Sequence, residues 1–169
     1  MWTFTAQDRE EAIESVIALR RGIDLLSARP EVDPARIGAS AFSYGAWLTV
    51  IAAAADPRLS LLVLRSGGPQ ILRQLAGATR AATLEFAAYA ETMRTVDQLR
   101  YAPAIAPSIP VLVQNGVADT TYPADGVRAW QGAMGGTKTA RMYEGAGHSL
   151  NAVANDDALA FIRERWQLR

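Results

Sequence analysis

The chain has no cysteine among its 169 residues. That removes disulfides, thiolate metal sites and a cysteine nucleophile together. It has a single histidine, His148, so a multi-histidine metal centre cannot form. It has no net charge, because 17 basic and 17 acidic side chains cancel. A nucleic-acid footprint or a basic membrane-surface helix needs an excess of positive charge, so neither partner is expected. No apolar run approaches the length of a membrane span. Early charges, Asp8 to Glu11, stand where a secretory leader would carry its apolar core. The expected setting is cytoplasmic, with no metal or other cofactor. Half the residues are hydrophobic and a fifth are charged. That suits one globular domain, residues 1–169, with a real core.

Thr5 followed by Asp8 has the form of a capping box with Asp in place of Glu. A helix is expected from there to about Ala28, with Ile13, Val16, Ile17, Ile23 and Leu26 on one face. Arg29-Pro30 stops it and Asp33-Pro34 turns the chain. Ile37 to Phe42 reads as a strand, Ala46 to Ala55 as a helix ended by Asp56-Pro57, and Leu59 to Leu64 as a strand buried on both faces. Gln70 to Pro107 reads as a helical insertion in two pieces. One carries Ile71, Leu72 and Leu75; the other carries Leu84, Phe86, Tyr89, Met93 and Val96. It is either packing between strands or a cap over a site. Pro110 to Gln114 is a third strand, and Pro123 starts a helix to Met134 that Gly135-Gly136 breaks. Thr139 to Tyr143 is a fourth strand, and Asn155 caps a last helix to about Leu168. Strands alternating with helices imply an α/β fold, a mostly parallel sheet of about four strands flanked by helices.

Ala41-Phe42-Ser43-Tyr44-Gly45 lies between the first strand and the second helix. A serine at the tip of a tight strand-to-helix turn is the arrangement of a nucleophile elbow, and its strain asks for small residues two positions either side. Ala41 and Gly45 fit. Asp119 follows the third strand and His148 follows the fourth, in a glycine-flanked loop. Each has a bland reading alone: a turn or N-cap serine, a turn aspartate bonding its own backbone, and a solvated loop histidine. Right-handed crossovers put all three on one rim of the sheet, where open α/β sheets build their sites. Their chain order, Ser then Asp then His, is that of an α/β-hydrolase.

The elbow, the Asn115-to-Asp119 loop and Gly145-Ala146-Gly147-His148-Ser149 together resemble the C-terminal catalytic half of the α/β-hydrolase superfamily. Arg29-Pro30-Glu31-Val32-Asp33-Pro34-Ala35-Arg36-Ile37 resembles the approach to the elbow in its dienelactone-hydrolase and acetyl-esterase branch, which overlaps in pattern with prolyl-oligopeptidase-type hydrolases. The resemblance runs from about Thr5 to the C-terminus. It implies that Ser43 is the nucleophile, His148 the general base and Asp119 the residue that orients it, with the Tyr44 N–H as one oxyanion donor. Dienelactone hydrolases proper use cysteine; serine here favours a serine esterase on small short-acyl esters. A peptidase or amidase on the same residues, and a non-catalytic remnant of the fold, are the alternatives. Ser66, Trp47, Phe86 and Tyr122 are candidates for the substrate pocket.

The departure from the resembled family lies before the elbow. Its complete members have four strands there, and the loop after the third gives the second oxyanion N–H. Here 42 residues precede Ser43 and read as one helix and one strand. Three explanations follow. The chain is a fragment of a longer protein, or the oxyanion hole is rebuilt with a donor such as Ser66 or Tyr44, or a homodimer covers the Ile37-to-Phe42 edge, which left bare would be a template for pairing.

Overall fold

The computed structural model describes residues 2–69, 72–122 and 124–168. The expected roles of Gln70, Ile71 and Pro123 fall on positions outside the described residues. The elements in chain order are α1 (Ala6–Ser27), β1 (Ala39–Phe42), α2 (Tyr44–Ala55), β2 (Leu62–Arg65), α3 (Leu72–Ala81), α4 (Leu84–Met93), α5 (Gln98–Tyr101), β3 (Pro110–Gly116), α6 (Ala124–Ala133), β4 (Thr137–Tyr143) and α7 (Ala152–Trp166). Short 3₁₀ turns fall between several of them. The four strands form one parallel sheet in the order β1-β2-β3-β4.

Period-2 alternation in the strands sorts the core into two layers. Leu62 and Leu64 of β2 and Val111 and Val113 of β3 join Ala46 and Val50 of α2 and Trp130 of α6 in one cluster. Val63 and Leu112 face the other way and pack with Ala158 and Phe161 of α7. One layer of helices therefore lies over one face, and α7 covers the opposite face. Register carries the alternation into β1, where Ala39 and Ala41 pack on the first cluster. Ser40 is exposed, as is Phe42, whose relative exposure is 44%. β1 is thus a sheet edge with one uncovered face.

Helix α1 differs from the expected face. Ala12, Val16 and Ile23 are buried, while Ile13, Ile17 and Leu26 are exposed. The helix has a wider apolar stripe than α2 and α4 cover. Its capping also differs. Thr5 accepts from the Gln7 N–H at 3.3 Å, but the Asp8 carboxylate reaches past the cap to the N–H groups of Thr3 at 3.0 Å and Phe4 at 2.8 Å. The Tyr89 hydroxyl also donates to it, at 3.0 Å. Burial works to raise the Asp8 pKa, but these donors outweigh it and the net displacement is downward. The last helix is capped by Asn151, whose side chain accepts from the Ala154 N–H at 3.1 Å, not by Asn155. Asn155 lies a turn inside the helix, where its amide oxygen accepts from Arg65. No described helix is long and apolar enough to cross a membrane.

Candidate active site

Ser43 joins β1 to α2 with φ 53° and ψ −118°. A residue with a Cβ in this region holds roughly 1–3 kcal/mol of strain. The neighbouring bonds keep it there. Its N–H donates to the Arg65 carbonyl at 2.9 Å, and its own carbonyl accepts from the Ala46 N–H at 3.0 Å. The Tyr44 N–H opens α2, where the first amides have no carbonyl partner within the helix. They present a partial positive charge to the space beside the serine. A Cβ added at Gly45 would meet only the Ala41 Cβ, at 3.9 Å. The turn therefore has room for one more methyl group, because Ala41 is itself small.

Asp119 and His148 come together with Ser43. Asp119 is buried and anchored by the N–H groups of Thr121 at 2.7 Å and Tyr122 at 3.2 Å, both on Oδ1. Its Oδ2 lies 2.9 Å from His148 Nδ1. A carboxylate can only accept, so Nδ1 carries the proton and Nε2 presents its lone pair. Nε2 lies 2.9 Å from Ser43 Oγ. An imidazole bonded in this way can take the hydroxyl proton while its cationic form is stabilised from behind. The ring is held between Phe42, edge-on at 5.0 Å, and Tyr122, stacked at 5.8 Å.

Two contacts fix the histidine loop. Ser66, fully buried at the end of β2, donates its hydroxyl to the His148 carbonyl at 2.5 Å. Gly116, at the end of β3, packs against the same loop. A Cβ there would lie 2.2 Å from the Ala146 carbonyl oxygen and 2.4 Å from that of Gly147. Glycine is required at this position by a close backbone approach, although the position itself reads as an ordinary turn glycine.

A cavity of about 180 Å³ adjoins Ser43. Trp2, Tyr44, Trp47, Leu72, Leu75, Gln98 and Tyr122 are among its lining residues. Trp47 and Tyr122 therefore stand where a pocket was expected. Trp47 is anchored by its indole N–H on the Val96 carbonyl at 2.6 Å and stacks on Trp2 at 5.6 Å. The other two pocket candidates are placed elsewhere. Phe86 lies in a buried cluster with Tyr89 and Phe4, because α4 turns that face toward α1. Ser66 lies beneath the histidine loop. Trp2 and Gln98 are wall residues that sequence reasoning missed. Trp2 sits in a stretch too short for periodicity. Gln98 carries no such signal, its amide standing among the charged neighbours Asp97 and Arg100. That amide accepts from the Trp130 indole at 2.8 Å and donates to the Gly68 carbonyl. Among the described residues, no group of three or more His, Cys, Asp or Glu side chains is placed to hold a metal ion.

The four-stranded parallel sheet, the turn at Ser43 and the two rim loops match part of the α/β-hydrolase fold. No family model and no curated protein matches the chain. Solved structures do match it. The acetyl xylan esterase from Paenibacillus sp. R4 aligns with a TM-score of 0.77 at 21% identity, over 89% of this chain and 52% of that one. Acetyl xylan esterase 1 from Thermoanaerobacterium sp. JW/SL YS485 aligns at 0.71 and 22% identity, over 85% and 50%. Est1E from Butyrivibrio proteoclasticus aligns at 0.73 and 14% identity, over 92% and 71%. At these identities the likeness establishes the fold. The chain spans about half the length of the two acetyl xylan esterases.

Proposed function

We propose that the chain is a serine carboxylic ester hydrolase acting on small, short-acyl esters. The observation that carries this reading is the unbroken path from carboxylate to imidazole to hydroxyl. Its two 2.9 Å links end on a serine held in a strained elbow. Two neighbours by fold are named as acetyl xylan esterases, which agrees with a short acyl group. So does a cavity of only about 180 Å³ with largely apolar walls.

In this reading Ser43 Oγ attacks the ester carbonyl as His148 Nε2 takes its proton. The tetrahedral oxyanion forms beside the Tyr44 N–H. The imidazolium, stabilised by Asp119, then returns the proton to the departing alcohol. Water, activated by the same imidazole, hydrolyses the acyl-enzyme. The test is hydrolysis of p-nitrophenyl acetate by wild type and Ser43→Ala. Wild-type turnover with a loss of roughly a thousandfold or more in the variant is expected, since the nucleophile is removed. Equal rates would refute the assignment.

The same reading has a second copy of the chain pairing along the Ala39–Phe42 edge. In support, β1 leaves Ser40 and Phe42 exposed, and an open groove of about 740 Å³ runs beside it. The groove is lined by apolar residues that include Leu19, Leu26, Ile37 and Leu48. Sedimentation that shows only monomer at micromolar concentration would dismiss the dimer and leave the esterase reading intact.

A further inference from the structure

We propose that the Tyr122 phenol is the second hydrogen-bond donor to the oxyanion formed at Ser43, acting with the Tyr44 N–H. The inference rests on the esterase reading above and supplies what that reading lacks, a second donor at the reacting carbonyl. Of the two side-chain donors suggested by sequence, Ser66 is engaged elsewhere and Tyr44 lies in the field of acidic neighbours. The Ser66 hydroxyl has one proton, and it lies on the His148 carbonyl at 2.5 Å. Burial and the charges of the Glu11 and Asp8 carboxylates, with which Tyr44 lines a second cavity, raise the Tyr44 phenol pKa.

Tyr122 is placed differently. It is 6% exposed and lines the same cavity as Ser43 and Tyr44. Its ring is fixed from three directions. The backbone N–H is tied to Asp119, one ring face stacks on His148, and Gly68 closes in on the ring edge. The last contact is tight: a Cβ on Gly68 would lie 2.3 Å from the ring Cδ1. Tyr122 shares that cavity with the Ser43 side chain, which works to lower the phenol pKa. Burial first, and the Asp119 charge second, hold the phenol pKa above its ordinary value, with only partial relief from Ser43. The group therefore keeps its proton at neutral pH and can act only as an O–H donor toward an anion. A donor locked in place before the reaction needs no reorganisation when charge develops.

The step balances without proton transfer from Tyr122. Ser43 Oγ bonds to the carbonyl carbon, the π pair moves onto the carbonyl oxygen, and His148 takes the serine proton. Tyr122 O–H and Tyr44 N–H then bond the oxyanion. When the carbonyl reforms, the alkoxide leaves with the proton from His148.

The experiment compares wild type and Tyr122→Phe on p-nitrophenyl acetate and on a small trifluoromethyl ketone, which adds to serine as an oxyanion. The Phe variant should lose about a hundred- to a thousandfold in kcat, with little change in KM. It should lose a similar factor in affinity for the ketone, but not for acetate, the product acid. That pattern distinguishes a donor from a packing residue. Tyr122→Phe within about threefold of wild type on both probes overturns the inference alone. Wild type without Ser43-dependent turnover overturns the esterase reading and this inference with it. Should the Phe variant fail to fold, a fluorinated tyrosine at position 122 replaces it. Its hydroxyl ionises at lower pH and must bring the alkaline fall in kcat down with it, so an unmoved profile is the overturning result.

Discussion

The two halves of the rim are built to different tolerances. Toward β3 and β4, Asp119 is held by two backbone N–H groups, the histidine loop by the Ser66 hydroxyl, and Gly116 leaves no space for a methyl group. Toward β1, the strand is an edge with Phe42 largely open, and Gly45 has ordinary contact distance to spare. The Asp119–His148 side is specified by contacts within this chain. The elbow side is specified by local backbone strain and the start of α2, with less packed around it. Rigidity in this site therefore follows the Asp119–His148 pair, not the strand that leads to Ser43.

The sharpest way to break the contrast is at Asp119. Asp119→Asn keeps the shape but replaces an acceptor-only group with an amide that can present N–H to Nδ1. The wrong tautomer then faces Ser43, and kcat should fall by about 10⁴-fold, as when the triad aspartate of a serine protease is so changed. A steady-state assay on p-nitrophenyl acetate measures it, and a loss below about tenfold would mean that the carboxylate does not orient the ring.

Gly116→Ala comes next. The added methyl group meets backbone carbonyls that cannot swing away, so the histidine loop must shift. Overpacking of this kind costs about 1–3 kcal/mol. Urea unfolding should show that loss, with kcat reduced more than KM is changed.

A smaller effect tests how the elbow half is anchored from afar. Asp56 caps the far end of α2, accepts from Arg58 Nε at 2.8 Å and lies 3.4 Å from Arg20 Nε. The Arg58 hydrogen bond is the main reason its pKa is depressed to about 2, against the opposing effect of burial. A depressed carboxylate contributes stability that is complete above its unfolded pKa and is lost as pH falls through the folded one. The window here is about pH 4 down to pH 2. With Arg58 partly exposed and screened, the contribution is on the order of 1–2 kcal/mol. Asp56→Asn should flatten the fall in urea midpoint across that window and lower the midpoint at pH 7. Parallel profiles for the two proteins would remove Asp56 as an anchor.

The smallest effect is Gly45→Ala, expected to lie within about 1 kcal/mol of wild type in stability and to favour the helix. A large loss would show the elbow to be as tightly packed as the histidine loop.

Much of the fold was legible from periodicity. The alternation of strands and helices, the parallel sheet and the placement of Ser43, Asp119 and His148 near strand ends follow from local patterns. Strand starts were less so. The apolar run Leu59 to Leu64 begins before pairing does, since Leu59 and Leu61 are buried while β2 starts at Leu62. Burial marks where a chain enters the core, not where its ladder begins. Asn151 and Asn155 present the same cap chemistry four residues apart, and only the path of the preceding loop selects the first. The cavity wall was least legible. Trp2 and Gln98 reach it from distant parts of the chain, and the exclusion of Phe86 depends on how α4 rolls against α1. Such facts are settled by tertiary packing, for which a single sequence has no periodic sign.

The bond between His148 and Ser43 joins positions 105 residues apart. Contacts of such separation close late, after the loop entropy between them has been overcome. The helices and neighbouring strand pairs can form with Ser43 and His148 still far from each other. In a refolding time course, recovery of turnover should therefore lag behind recovery of helical signal. The chemistry at the rim then serves as a clock for the last stage of assembly.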